Sequence, residues 1–134
     1  MSPSRKRSEI TFSRPPPAHV KVNKSFKVII QAPSGGNNGD MGYLSLYRVS
    51  SRSGDLTLAP ELIGGEPVGN WDLRRSTSNG RDVDTMEFKI KVTQAGSYHI
   101  RIHIYGPPAI GGGRDDFSVE HIKDLDSAKF HVGE

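Results

Sequence analysis

His99, Arg101 and His103 alternate with Ile100, Ile102 and Ile104, which sets the three polar side chains on one face of an extended segment. Imidazoles bind transition ions, and together with a guanidinium they bind phosphate or carboxylate. At ~3.3–3.4 Å per residue, His99 and His103 stand about 13 Å apart, too far to share one ion without ligands from another strand. The row by itself therefore assigns no metal ligands. It reads either as a stripe that contacts anions or as a solvated sheet face. If Lys89 and Lys91 lie on the same sheet, the stripe widens into a basic patch.

Two further segments carry reactive types. Gly111-Gly112-Gly113-Arg114-Asp115-Asp116 offers backbone N–H groups to an anion and paired acids to a hard cation. It lacks the Lys-Ser/Thr of a phosphate-binding loop, so a hairpin tip explains it as well. Arg74-Arg75-Ser76-Thr77 places two guanidiniums before hydroxyls, where phosphorylation would add charge beside them. There is no Gly-x-Ser-x-Gly elbow, no His-Glu-x-x-His and no dinucleotide fingerprint. The sequence thus assigns no catalytic residues and no cofactor, and it favours binding over catalysis.

The elements that must position these residues are β-strands. Only 34% of the 134 residues are apolar, while 15 Gly and 9 Pro are present, which suits a thin core with many turns. Cysteine is absent, excluding a disulfide framework or a thiol nucleophile. That absence, with no apolar leader behind Met1, points to an intracellular protein, cytoplasmic or nuclear, with no membrane association. The front of the chain is basic: Arg5, Lys6, Arg7, Arg14, Lys21, Lys24 and Lys27 face only Glu9. The end is acidic, with Asp115, Asp116, Glu120, Asp124, Asp126 and Glu134. A basic front can meet nucleic acid or an acidic partner, or simply complement the acidic end.

Residues 1–9 read as a flexible basic tail, and residues 10–134 as a single domain. Pro15-Pro16-Pro17 cannot donate to a ladder and predicts an edge crossing. Phe26, Val28 and Ile30 form an inward set, and Tyr43 to Val49 reads as a strand. Residues 60–84 show little periodicity; Leu62, Ile63, Val68, Trp71 and Leu73 anchor one or two irregular strands there. Met86, Phe88, Ile90 and Val92 alternate with polar residues, and after Thr93-Gln-Ala-Gly96 so do Tyr98, Ile100, Ile102 and Ile104. These are two strands with one buried face each, and they need not pair with each other.

Ala95-Gly96-Ser97-Tyr98-His99-Ile100 resembles the E–F corner of immunoglobulin-like domains, where the Tyr hydroxyl bonds back to the corner backbone. The position two residues later, a cysteine in antibody domains, is Ile100, and the core Trp is missing because Trp71 lies elsewhere. The expected fold is an all-β immunoglobulin-like sandwich of about 7–9 strands with little helix.

Segment 43–132 is similar to the velvet domains of fungal regulators, which have a Rel-like immunoglobulin fold. Tyr43-Leu-Ser-Leu-Tyr47, Leu62-Ile-Gly-Gly65 with Pro67-Val68, Phe88, Gly96-Ser-Tyr98-His-Ile-Arg101-Ile and Asp126-Ser-Ala-Lys-Phe130-His-Val carry the likeness. The family's basic, cysteine- and glycine-containing DNA-contact segment is absent, and only Arg14-Pro15-Pro16-Pro17 faintly resembles its Arg- and Pro-rich tail. The resemblance implies a regulatory module that binds a protein partner or forms a homodimer. Dimerisation would use a sheet face or the exposed edge beside the prolines, and DNA contact would fall to the basic front. The front residues together with His99, Arg101 and His103 are the candidates for partner or nucleic-acid binding. The alternative is a ligand-binding or catalytic sandwich using loops, with Trp71, Arg114, Asp115 and Asp116 as lining.

Overall fold

Met86, Phe88, Ile90, Val92, Tyr98, Ile100, Ile102 and Ile104 expose none of their surface to solvent. The two alternating segments thus pack their apolar faces inward, as the period-2 pattern requires. The structure, a computed structural model, describes residues 10–33, 40–78, 81–106, 109–110, 117–118 and 120–134. Its strands are β1 (Thr11–Arg14), β2 (His19–Lys21), β3 (Phe26–Pro33), β4 (Met41–Val49) and β5 (Leu56–Leu58). After a 3₁₀ turn at Pro60–Leu62 come β6 (Ile63–Glu66), β7 (Val68–Asn70), β8 (Asp72–Ser78) and β9 (Arg81–Val92). Then follow β10 (Gly96–Tyr105), β11 (Ala109–Ile110), β12 (Phe117–Ser118), β13 (His121–Asp126) and β14 (Phe130–Gly133). No α-helix occurs among the described residues.

The strands form an immunoglobulin-like sandwich. One sheet runs β1-β3-β9-β6, with β8 also on β9; the other runs β2-β14-β10-β4-β5, with β13 on β10 and β7 on β4. β11 and β12 pair with each other. The two consecutive alternating strands, β9 and β10, fall in different sheets, so their connection crosses the sandwich. Val28, Ile30 and Ala32 join the β9 side of the core, and Leu44, Leu46, Leu125, Phe130 and Val132 join the β10 side.

The three prolines act where expected. β1 pairs antiparallel with β3 in one sheet, and β2 pairs parallel with β14 in the other. Pro15-Pro16-Pro17 therefore carries the first strand from one sheet to the other.

The Gly96–Tyr98 corner forms as the motif implied. Tyr98 Oη donates to the Gln94 carbonyl at 2.7 Å. Gly96 has φ +154°, and a Cβ there would sit 3.4 Å from the Tyr98 ring. Ile100, in the place of the missing cysteine, is fully buried, so packing replaces the disulfide.

Residues 60–84 contain more strand than their pattern suggests: β6, β7, β8 and the start of β9. β6 joins β9 and β7 joins β4, so the chain changes sheets at Pro67. Glycine hides this from the sequence. A Cβ at Gly69 would come within 2.9 Å of Met86 Cγ, so backbone, rather than an alternating side chain, packs onto β9. Trp71 follows β7 and packs, half-buried, against the core.

Candidate functional site

The outer face of β4, β10 and β13 collects the polar and aromatic side chains that the core rejects. Odd-numbered residues of β10 point outward, so His99, Arg101, His103 and Tyr105 share this face. The register sets Tyr47 opposite His99, Ser45 opposite Arg101, Tyr43 opposite His103 and Met41 opposite Tyr105. On the other side, Asp126 stands opposite Arg101, Asp124 opposite His103 and His121 opposite Tyr105. At the edge, Leu58 pairs with Tyr47 and Val68 with Tyr43.

Each expected histidine has found a different acid. Asp126 Oδ1 lies 2.9 Å from His99 Nε2 and 2.6 Å from Arg101 Nε. The guanidinium also stands over the Tyr47 ring, 5.4 Å from its centroid. Asp124 Oδ1 lies 2.9 Å from His103 Nδ1 and 2.7 Å from His121 Nε2. Partial burial opposes ionisation of Asp124, but hydrogen bonds from His121 and His103 outweigh it and hold the carboxyl below its usual range. Asp126 is likewise held low, with burial outweighed by hydrogen bonds from Arg101 and His99. Its hydrogen bond in turn pushes the Arg101 guanidinium up.

His103 is the most constrained of these rings. It stacks with Tyr43 at 6.4 Å between centroids and with Tyr105 at 6.4 Å. Its Nε2 lies 3.2 Å from the hydroxyl of Ser45, a buried residue. His121 packs against the other ring of this group, Tyr105, at 5.4 Å.

The sequence reasoning found the β10 row but not its partners on β13. His121 and Asp124 are three residues apart, and a regular strand would point them to opposite faces. The register shifts here, from Ile104 opposite Lys123 to Tyr105 opposite His121. That bulge leaves Ile122 to pack against the core and returns His121 to the outer face. Nothing in the local sequence announces it.

The remaining expected residues lie elsewhere. Lys89 and Lys91 belong to β9 in the opposite sheet, so they do not extend the His99–Arg101–His103 row. Lys27 faces Lys89 across that sheet and pairs with Glu87 at 3.4 Å. Arg14 is exposed on β1. Lys21 and Lys24 flank a depression of about 310 Å³ between β2 and β3, with Pro17, Val20 and Phe26 among its lining. Arg5, Lys6, Arg7, Arg114, Asp115 and Asp116 lie outside the described residues. No helix among the described residues is long and apolar enough to cross a membrane.

No protein-family model and no curated protein matches the chain. Among solved structures it is similar to the ASH/PapD-like domain of human CEP192 (PapD-like domain 7), at 12% identity and TM-score 0.41. That alignment covers 100% of this chain and 87% of the other. A family 123 glycoside hydrolase from Clostridium perfringens aligns at 13% identity and TM-score 0.33, over 85% of this chain and 22% of the enzyme. At such scores neither likeness bears on what the chain does. The sheet order and the tyrosine corner carry the fold assignment by themselves.

Proposed function

We propose that the chain is a non-catalytic protein-interaction module that self-associates through the outer face of β4, β10 and β13 and its β5–β7 edge. One observation carries this reading. Met41, Tyr43, Leu56, Leu58 and Val68, the exposed large apolar residues among those described, all lie on this face or edge. Interfaces favour such Tyr and Met side chains with an Arg at hand, and Arg101 supplies one. Asp126 is paired with Arg101, so those two charges do not repel their counterparts when two copies meet. A standard contact needs roughly 800 Å² per partner, about a tenth of a total surface of 8389 Å².

Sedimentation velocity across about 1–200 μM tests this reading. The expected result is a concentration-dependent dimer that Leu58→Arg, at a residue 54% exposed, converts to monomer without unfolding. A strict monomer over the whole range overturns self-association.

In its finer form the module is a velvet-like regulator, cytoplasmic or nuclear, whose basic front contacts nucleic acid. The residue pattern over 43–132 and the clustering of Lys21 and Lys24 beside one depression support it. Duplex binding should then weaken steeply with salt. Binding unchanged after neutralising Lys21, Lys24 and Lys27 and removing residues 1–7 rules it out.

A further inference from the structure

We infer that His103, His121 and Asp124 form a binding site for a divalent transition ion of the zinc type. The cluster lies on the face proposed for self-association, but all three ligands come from one chain, so ion uptake by the monomer tests it separately. The three donor atoms lie within 4.8 Å of one another. Tetrahedral zinc with bonds of ~2.0–2.2 Å spaces its ligands roughly 3.3–3.5 Å apart. The two His–Asp separations, 2.9 and 2.7 Å, must open slightly as the ion replaces the protons on the ligating nitrogens, and the two imidazoles, within 4.8 Å of each other, must close to the ligand spacing. His121 is half exposed, so an ion can reach it from solvent.

Two features show that the position is built. The bulge after Ile104 is what places His121 on the same face as Asp124, and without it the pair would straddle the sheet. Ser45 holds the far nitrogen of His103 at 3.2 Å, the arrangement by which a hydrogen bond fixes the tautomer of a ligating imidazole. Stacking by Tyr43 and Tyr105 restricts the ring further. Two imidazoles and one carboxylate select zinc-like ions over calcium or magnesium, which prefer oxygen alone.

Zinc chloride titrated into the chain at about pH 7.5 gives the test, read by calorimetry and by histidine-ring ¹H–¹⁵N spectra. We expect one ion per chain, with the ring signals of His103 and His121 moving and those of His99, His19 and His131 unchanged. Ser45→Ala should weaken uptake by about 10–100-fold, His121→Ala by at least as much, and His99→Ala should leave it intact. Circular dichroism confirms that each variant is folded. Absence of saturable uptake below about 1 mM, uptake indifferent to His121→Ala, or signals moving at His19 and His131 instead each overturns the assignment.

Discussion

Replacing Tyr98 with Phe removes one oxygen from the middle of the corner and leaves the ring in place. The hydroxyl donates to the Gln94 carbonyl at 2.7 Å, and Tyr98 has no exposed surface. Gln94 itself is exposed, so its carbonyl regains water when the donor goes. The loss is then the net value of one hydrogen bond, about 1–1.5 kcal/mol, without an added penalty for a buried orphan. With unfolding entropy of ~2.1 cal/mol/K per residue, 134 residues convert 1 kcal/mol into about 3–4 °C of Tm. Tyr98→Ala, which also empties the ring's place against Phe130, should cost about 3–5 kcal/mol. Urea unfolding should show a lower midpoint for Tyr98→Phe with the slope unchanged. Burial pushes the Tyr98 phenol up, against the opposing charge of Arg48. A raised folded pKa means a contribution intact below the ordinary value of about 10 and lost as pH rises through the folded value. The Phe variant should therefore lose less stability above about pH 10 than the parent does. A Phe variant within about 0.3 kcal/mol of the parent, or one with the same alkaline loss, refutes the corner as a fastening.

Ser127, between β13 and β14, accepts from the buried Ile100 N–H at 3.1 Å and donates to the Ala128 carbonyl at 2.8 Å. Ser127→Ala leaves that N–H without its side-chain acceptor and should cost about 1–3 kcal/mol in the same urea assay; a neutral result would show that water replaces it. Asp124 and Asp126 are both held low, so their contribution is present above the ordinary carboxylate value and is lost as pH falls through the folded values, below about 4. The Asp124→Asn, Asp126→Asn double variant should flatten the acid side of the urea-midpoint profile, and an unaltered slope there contradicts the pairing.

The sequence made the core legible because Met86–Val92 and Tyr98–Ile104 alternate strictly, and strict alternation has one physical solution. The corner was legible for a similar reason, since Gly96 and Tyr98 need each other locally. The outer face was only half legible. His99, Arg101 and His103 announce themselves on one strand, but their acids arrive from β13 through a register shift that no local pattern encodes. Lys89 and Lys91 seemed available to the same patch, yet the crossing between β9 and β10 sends them to the far side. Residues 60–84 stayed opaque because glycine backbone, without side-chain periodicity, makes the contacts.

The sheet-switching first strand also decides where the ends of the domain emerge. Lys123 reaches the Ile10 carbonyl at 3.4 Å and pairs with Ile104, while Val132 pairs with Gly96 at the other end of β10. Eight strand steps separate those levels, about 27 Å at ~3.4 Å per step. Polypeptide joined before Ile10 and polypeptide joined after Gly133 thus leave from opposite poles, in a beads-on-a-string geometry.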